Sequence, residues 1–150
     1  MGTHVGPLHV RRSIFIQAGP ARVWQEFGSF ERLVRWLGLG HSLHALDPVP
    51  GGVADLSVEI DGKERHYGGR VLVVEPEREL TLESNWETPH AWPVPTLWTF
   101  RLTPLYEGTL VELFHHGFER LGPDAGSELE GYEAGWHSRH LEALKAIVET

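Results

Sequence analysis

Apolar side chains return at alternate positions through the middle of this chain, the period of a half-buried β-strand. Leu80, Leu82, Ser84 and Trp86 point one way while Thr81, Glu83 and Asn85 point the other, and Trp98, Phe100 and Leu102 oppose Thr99 and Arg101. In the stretch after Gly108, a water-facing Glu112 sends Val111, Leu113 and His115 inward and leaves Phe114 outward with His116. The pattern predicts strands over 9–17, 41–46, 53–60, 65–74, 80–86, 96–102 and 109–118, punctuated by the glycines and prolines of 48–52, Pro76, 89–95 and Gly108. Asp61-Gly62 is the signature of a two-residue hairpin turn.

Helical spacing interrupts this series twice. Pro20 suits a first helical position, and Val23, Trp24 and Phe27 then share one face of a short helix ending near Gly28. Ser29 can cap a second, with Phe30, Leu33, Val34 and Leu37 as its apolar side, Trp36 beside them, and Gly38 and Gly40 closing it. Near the C-terminus, Ser127 with Glu130 three residues on forms a capping box, predicting one long helix from there to Val148. Leu129, Tyr132, Trp136, His140, Ala143 and Ile147 share one stripe, with Leu141, Leu144 and Val148 alongside and Ser138, Glu142, Lys145 and Glu149 opposite. Gly131 and Gly135 cost such a helix about 1 kcal/mol each relative to alanine, which implies close approach of another element or a local bend.

One strand, two short helices, about six more strands and one long helix make an α+β chain in which the antiparallel sheet, of 6–7 strands in all, buries one face against the terminal helix. A strongly curved sheet wrapped around that helix is the economical packing. The 150 residues suit a single domain, 1–150, large enough to need no covalent staples. Cysteine is absent, which removes disulfides and thiolate metal sites. A net charge of −8 with acidic residues throughout argues against a nucleic acid partner. No apolar run is long enough for a membrane span or a secretory signal, so a cytoplasmic location is expected.

Several residues carry candidate chemistry. Six tryptophans in so small a chain supply either core or cavity wall: Trp24 and Trp98 sit inside elements, whereas Trp36, Trp86, Trp92 and Trp136 sit where a cavity or its mouth would be. Trp86 and Trp92 flank a proline-hinged loop suited to covering such a mouth. Glu133, His137 and His140, spaced i, i+4 and i+7, share one helical face and match the donor set of an open zinc site, without the His-Glu-x-x-His order of helical zinc proteases. His115 and His140 are the acid/base candidates. The alternative for all of them is polar anchoring within an apolar pocket, or hydrogen bonding within the core.

The order of elements and several local motifs resemble the SRPBCC superfamily, the helix-grip fold of birch-pollen-allergen-like and START domains, and within it the homologues of the heat-shock-protein ATPase activator domain. The residues that carry the likeness are Gly19-Pro-Ala-Arg-Val-Trp24, Trp36, Gly51-Gly52, Gly69-Arg-Val-Leu-Val-Val-Glu-Pro76, Gly108-Thr109, His115-His-Gly-Phe118 and Tyr132-Glu-Ala-Gly-Trp136. The resemblance implies a hydrophobic cavity between the sheet and the C-terminal helix, and supplies no catalytic motif to carry over.

The leading expectation is a noncatalytic domain, needing no cofactor, that takes a small hydrophobic or amphipathic ligand between Trp36, Leu82, Ser84, Trp86, Trp92, Trp98, Phe100, His115, Tyr132, Trp136 and His140. A regulator acting through surface contacts on a heat-shock chaperone ATPase is the first alternative. A cyclase or dehydratase using His115 and His140, or a metal-assisted hydrolase using Glu133, His137 and His140, is the second. Ligand identity and oligomeric state stay open.

Overall fold

A computed structural model describes residues 9–126, 128, 131, 132, 136 and 138–150. Seven strands, β1 (His9–Ile16), β2 (Ser42–Leu46), β3 (Val53–Ile60), β4 (Lys63–Glu75), β5 (Glu79–Trp86), β6 (Thr96–Leu105) and β7 (Gly108–His116), pair in the order β1-β7-β6-β5-β4-β3-β2. Every pairing is antiparallel. Helix α1 (Pro20–Trp24), a 3-10 turn (Gln25–Phe27) and α2 (Phe30–Leu37) carry the chain from one edge of the sheet to the other. The C-terminal helix α3 (Arg139–Glu149) packs on β1 and α2, giving the curved sheet and helix of the helix-grip arrangement.

Local chemistry accounts for the joints. Asp61 and Gly62 both take positive φ, 52° and 76°, so the β3–β4 turn is the type I′ hairpin that their residue types favour. The β6–β7 turn has the same geometry at Tyr106 and Glu107, φ 49° and 61°, where neither side chain is suited to it. Gly68 sits at φ 141°, and a Cβ there would lie 2.1 Å from the Ala54 carbonyl oxygen, so only glycine lets β4 approach β3 so closely. The Ser29 hydroxyl accepts from the Arg32 backbone N–H at 3.2 Å and caps α2.

The two short helices are locked down by aromatic packing and one buried acid. Phe27, Trp36 and Phe100 meet edge to face with centroids 5.0–5.7 Å apart, and Trp24 stacks on Phe27 at 5.2 Å. The Trp36 indole donates to the Glu26 carbonyl at 3.1 Å. The fully buried Glu26 carboxylate receives Arg22 at 2.7 Å and Arg32 at 2.8 Å, with Arg35 at 3.6 Å, so a charge that would be costly alone is held by three guanidinium groups. At the far end, Lys145 donates to the Phe15 carbonyl and the Glu149 carboxylate accepts from the Gln17 N–H, fastening α3 to β1.

The terminal helix differs from its sequence expectation. Residues 125, 126, 128, 131 and 132 are helical, but Trp136 and Ser138 are not, and α3 begins only at Arg139. The Trp136 N–H still makes a helical bond to the Tyr132 carbonyl at 2.9 Å, but its own carbonyl accepts from Arg12 at 3.1 Å and its indole donates to His115, so both groups are spent on tertiary bonds. The buried seam of α3 is His140, Leu141, Leu144 and Val148, with Ala143 and Ile147 half-buried beside it. The capping pair Ser127 and Glu130, as well as Leu129, Glu133, Gly135 and His137, lie outside the described residues.

Candidate functional site

Alternation along β4, β5 and β6 aims Tyr67, Ser84, Trp86 and Trp98 at the concave side of the sheet, and β3 adds Val58. The segment joining α2 to β2 contributes Leu39, Gly40 and His41, and the C-terminal part contributes Glu128, Gly131, Tyr132, Trp136 and His140. Between them lies a cavity of about 310 Å3. Its walls are mostly rings: Tyr67 and Trp86 at 5.1 Å, Trp98 and Trp136 at 5.0 Å, His41 and His140 at 5.1 Å, and His41 stacked on Trp98 at 6.0 Å.

The polar atoms of this wall are largely committed. His41 gives its Nε2–H to the Leu37 carbonyl at 2.7 Å, and its Nδ1 lies 2.5 Å from the Tyr67 hydroxyl. Burial pushes the Tyr67 pKa up, as it does that of Tyr132, so both remain phenols and Tyr67 donates to the imidazole. His140 gives its Nε2–H to the Leu39 carbonyl at 2.6 Å. The buried Trp98 indole N–H has no acceptor among the described residues. A buried donor left without an acceptor costs free energy.

Behind the wall runs a closed relay. The Trp136 indole donates to His115 Nδ1 at 2.9 Å, which places the imidazole proton on Nε2. Nε2 then donates to Thr96 Oγ1 at 2.8 Å, and the Thr96 hydroxyl donates to the Ser84 carbonyl at 2.9 Å. Burial pushes the His115 pKa down to about 3, in keeping with a neutral ring whose two nitrogens are both occupied. His115 thus positions Trp136 against β5 and β6 and offers no lone pair to the cavity.

Of the residues singled out from sequence, Ser84, Trp86, Trp98, Tyr132, Trp136 and His140 come together on the cavity. Trp36, Leu82 and Phe100 lie on the same side of the sheet but in the solid core under the short helices. Trp92 borders an adjoining hollow with His90, Glu87 and Arg65, sharing Trp86 and Glu128 with the main cavity. Asn85 ties this loop down, its side-chain oxygen accepting from the Trp86 and Trp92 backbone N–H groups at 2.8 Å each. The metal candidates Glu133 and His137 fall outside the described residues, and the third, His140, has its Nε2 on a carbonyl. Leu39, Gly40, His41, Val58, Tyr67 and Glu128 are lining residues that sequence reasoning did not single out. The register set by the Asp61-Gly62 turn places Tyr67 opposite Leu56, a signal that would have put Tyr67 on the concave face.

The model of one protein family, described as Activator of Hsp90 ATPase homolog 1-like protein, matches residues 17–149. The chain belongs to this family. It is accordingly a member of the SRPBCC superfamily. Among solved structures, protein CV1439 from Chromobacterium violaceum is 24% identical, with a TM-score of 0.71 over 95% of this chain and 98% of that one. A protein from Arthrobacter aurescens is 21% identical, TM-score 0.69, over 98% and 89% of the two chains. The Aha1 dimer from Colwellia psychrerythraea is 17% identical, TM-score 0.61, over 94% and 96%. At these identities the likeness shows the fold. No curated protein sequence matches the chain. No helix among the described residues is long and apolar enough to cross a membrane.

Proposed function

We propose that this family member, as a single domain, binds a small, flat, largely apolar molecule in the cavity between sheet and C-terminal segment, without catalysing a reaction on it. The observation that carries the reading is the cavity of about 310 Å3 walled by Tyr67, Trp86, Trp98, Tyr132 and Trp136. That volume lies at the small end of ligand sites, and a lining dominated by rings favours an aromatic or alicyclic molecule. Against a cyclase or hydrolase reading, His115 faces away with both nitrogens bonded, and His41 and His140 each spend an N–H on a backbone carbonyl.

Native mass spectrometry of freshly purified protein tests the proposal, followed by titration of the tryptophan fluorescence with small phenols and cyclic ketones. Gly131 lines the cavity and a Cβ there meets nothing within 4 Å, so Gly131→Leu fills space at little cost to folding. A retained molecule, or saturable quenching that Gly131→Leu abolishes, is the expected result. No retained molecule, together with quenching that is equal in both proteins, would sink it.

The family's description favours one second reading, a regulator of a heat-shock chaperone ATPase acting through the surface. A change in that ATPase's turnover on adding this protein at saturating concentration supports it, and unchanged turnover removes it.

A further inference from the structure

Behind the cavity wall, the convex face of the sheet carries the residues that alternate with Val58 and Tyr67. Ser57 pairs with His66 and Glu59 with Glu64 across β3 and β4, so Asp55, Ser57, Glu64 and His66 all point outward. The edge strand β2 adds His44, the residue skipped by the ladder where the β2–β3 register shifts between Leu43 and Ala45. A bulge of this kind re-aims a side chain. Here it brings His44 over Ser57, Nε2 to Oγ at 2.7 Å, with the two imidazole rings of His44 and His66 4.9 Å apart.

We propose that His44, Glu64 and His66 form a divalent transition-metal site, of which zinc is the natural occupant. Their donor atoms all lie within 4.8 Å of one another. Metal–donor bonds of 2.0–2.1 Å in tetrahedral array set donors about 3.3 Å apart. His66 Nε2 is 3.1 Å from one oxygen of Glu64, and His44 Nε2 is 3.7 Å from the other, so the carboxylate already sits between two imidazole nitrogens at close to ligand spacing. His66 Nδ1 bonds Asp55 Oδ1 at 2.7 Å, the carboxylate–histidine pairing that fixes the ring, so that an ion displacing the proton between Nε2 and Glu64 meets the Nε2 lone pair. The two carboxylates of Asp55 and Glu64 balance a dication. Two imidazoles and one carboxylate on an accessible surface leave a position for water and suit zinc over calcium or magnesium. Because the donors come from β2 and β4, flanking β3, the bound ion ties the exposed edge strand to the body of the sheet.

Zinc chloride titrated calorimetrically into the metal-free full chain should bind in one equivalent, and Co2+ in its place should give the visible absorption of a four-coordinate N2O2 site. His44→Ala, Glu64→Gln and His66→Ala should each abolish that band or weaken binding at least tenfold, and Asp55→Asn should weaken it about tenfold. Zinc should also raise the thermal midpoint of the wild type and leave that of the His44→Ala/His66→Ala double variant unmoved. Circular dichroism without metal separates misfolding from loss of ligands, and His66→Gln serves where His66→Ala does not fold. A Glu133→Gln/His137→Ala variant that retains the equivalent places the ion on the sheet. No binding by the wild type, or binding that survives loss of both His44 and His66, would overturn the assignment.

Discussion

Replacing His115 by glutamine should make stability less sensitive to acid, although it removes a residue with no exposed titratable surface. In the folded chain His115 is 1% exposed and its pKa is held at about 3 by burial, whereas an imidazole in an unfolded chain titrates near about 6.5. Between these values the unfolded chain binds a proton that the folded chain does not. Stability therefore rises with pH through that window and is lost as pH falls through it. A full pH unit inside the window is worth about 1.4 kcal/mol, and since the unfolded imidazole is only half protonated at its start, moving from about pH 6.5 to about pH 4.5 costs roughly 2 kcal/mol through this side chain alone, against the 5–15 kcal/mol typical of a domain. Other groups titrate in the same range. His116 is lowered by burial and acts in the same sense, while His66, raised by its hydrogen bonds to Asp55 and Glu64, stabilises at low pH and loses that contribution as pH rises. The difference between wild type and His115→Gln isolates the one residue. Urea unfolding followed by tryptophan fluorescence measures it. At about pH 7.5 the variant should be less stable by about 2 kcal/mol, since the Trp136 indole loses its acceptor. That gap should shrink below about pH 6.5, vanish near pH 5 and reverse beyond it. A gap that stays constant across the range would refute the buried neutral imidazole and the relay built on it.

Ser29→Ala should cost about 1 kcal/mol, lowering the thermal midpoint by about 3 °C, because the Arg32 N–H at the start of α2 loses its acceptor. Tyr106→Asn with Glu107→Gly should raise stability by about 1 kcal/mol in the same melt, since both positions hold positive φ and Tyr106 is 85% exposed with little packing to lose. Gly68→Ala should destabilise by roughly 3 kcal/mol or prevent folding, read from the urea midpoint, because its Cβ would collide with the Ala54 carbonyl.

Much of the fold was legible because its signals are local. The alternations of β5 and β6, the Ser29 cap and the Asp61-Gly62 turn each depend on a handful of neighbouring residues, and the structure has all of them. The cavity was only half legible. Alternation assigns Leu82 and Ser84, or Phe100 and Trp98, to one face, but a step of two residues moves about 6.6 Å along the strand. That step separates solid core from cavity, and where the boundary falls depends on how far the short helices reach. His41 follows two glycines and has no periodic partner, so its place beside Tyr67 emerges only when α2 has docked. At Trp136 the carbonyl is taken by Arg12 and the indole by His115, both distant in sequence, a diversion that helical spacing does not reveal.

The pairing of β1 with β7 sets an order of events during synthesis. Strand β1, made before the other six, finds its partner roughly a hundred residues later, and until then it has no neighbour in the sheet, because β2 lies at the opposite edge. The aromatic cluster of Phe27 and Trp36 likewise waits for Phe100. A chain halted before Gly108 holds the hairpins of β3 to β6 but leaves Ile14 and Ile16 uncovered, a nascent species with a sticky free strand. Completion of the last hairpin supplies the neighbour that β1 lacks until then.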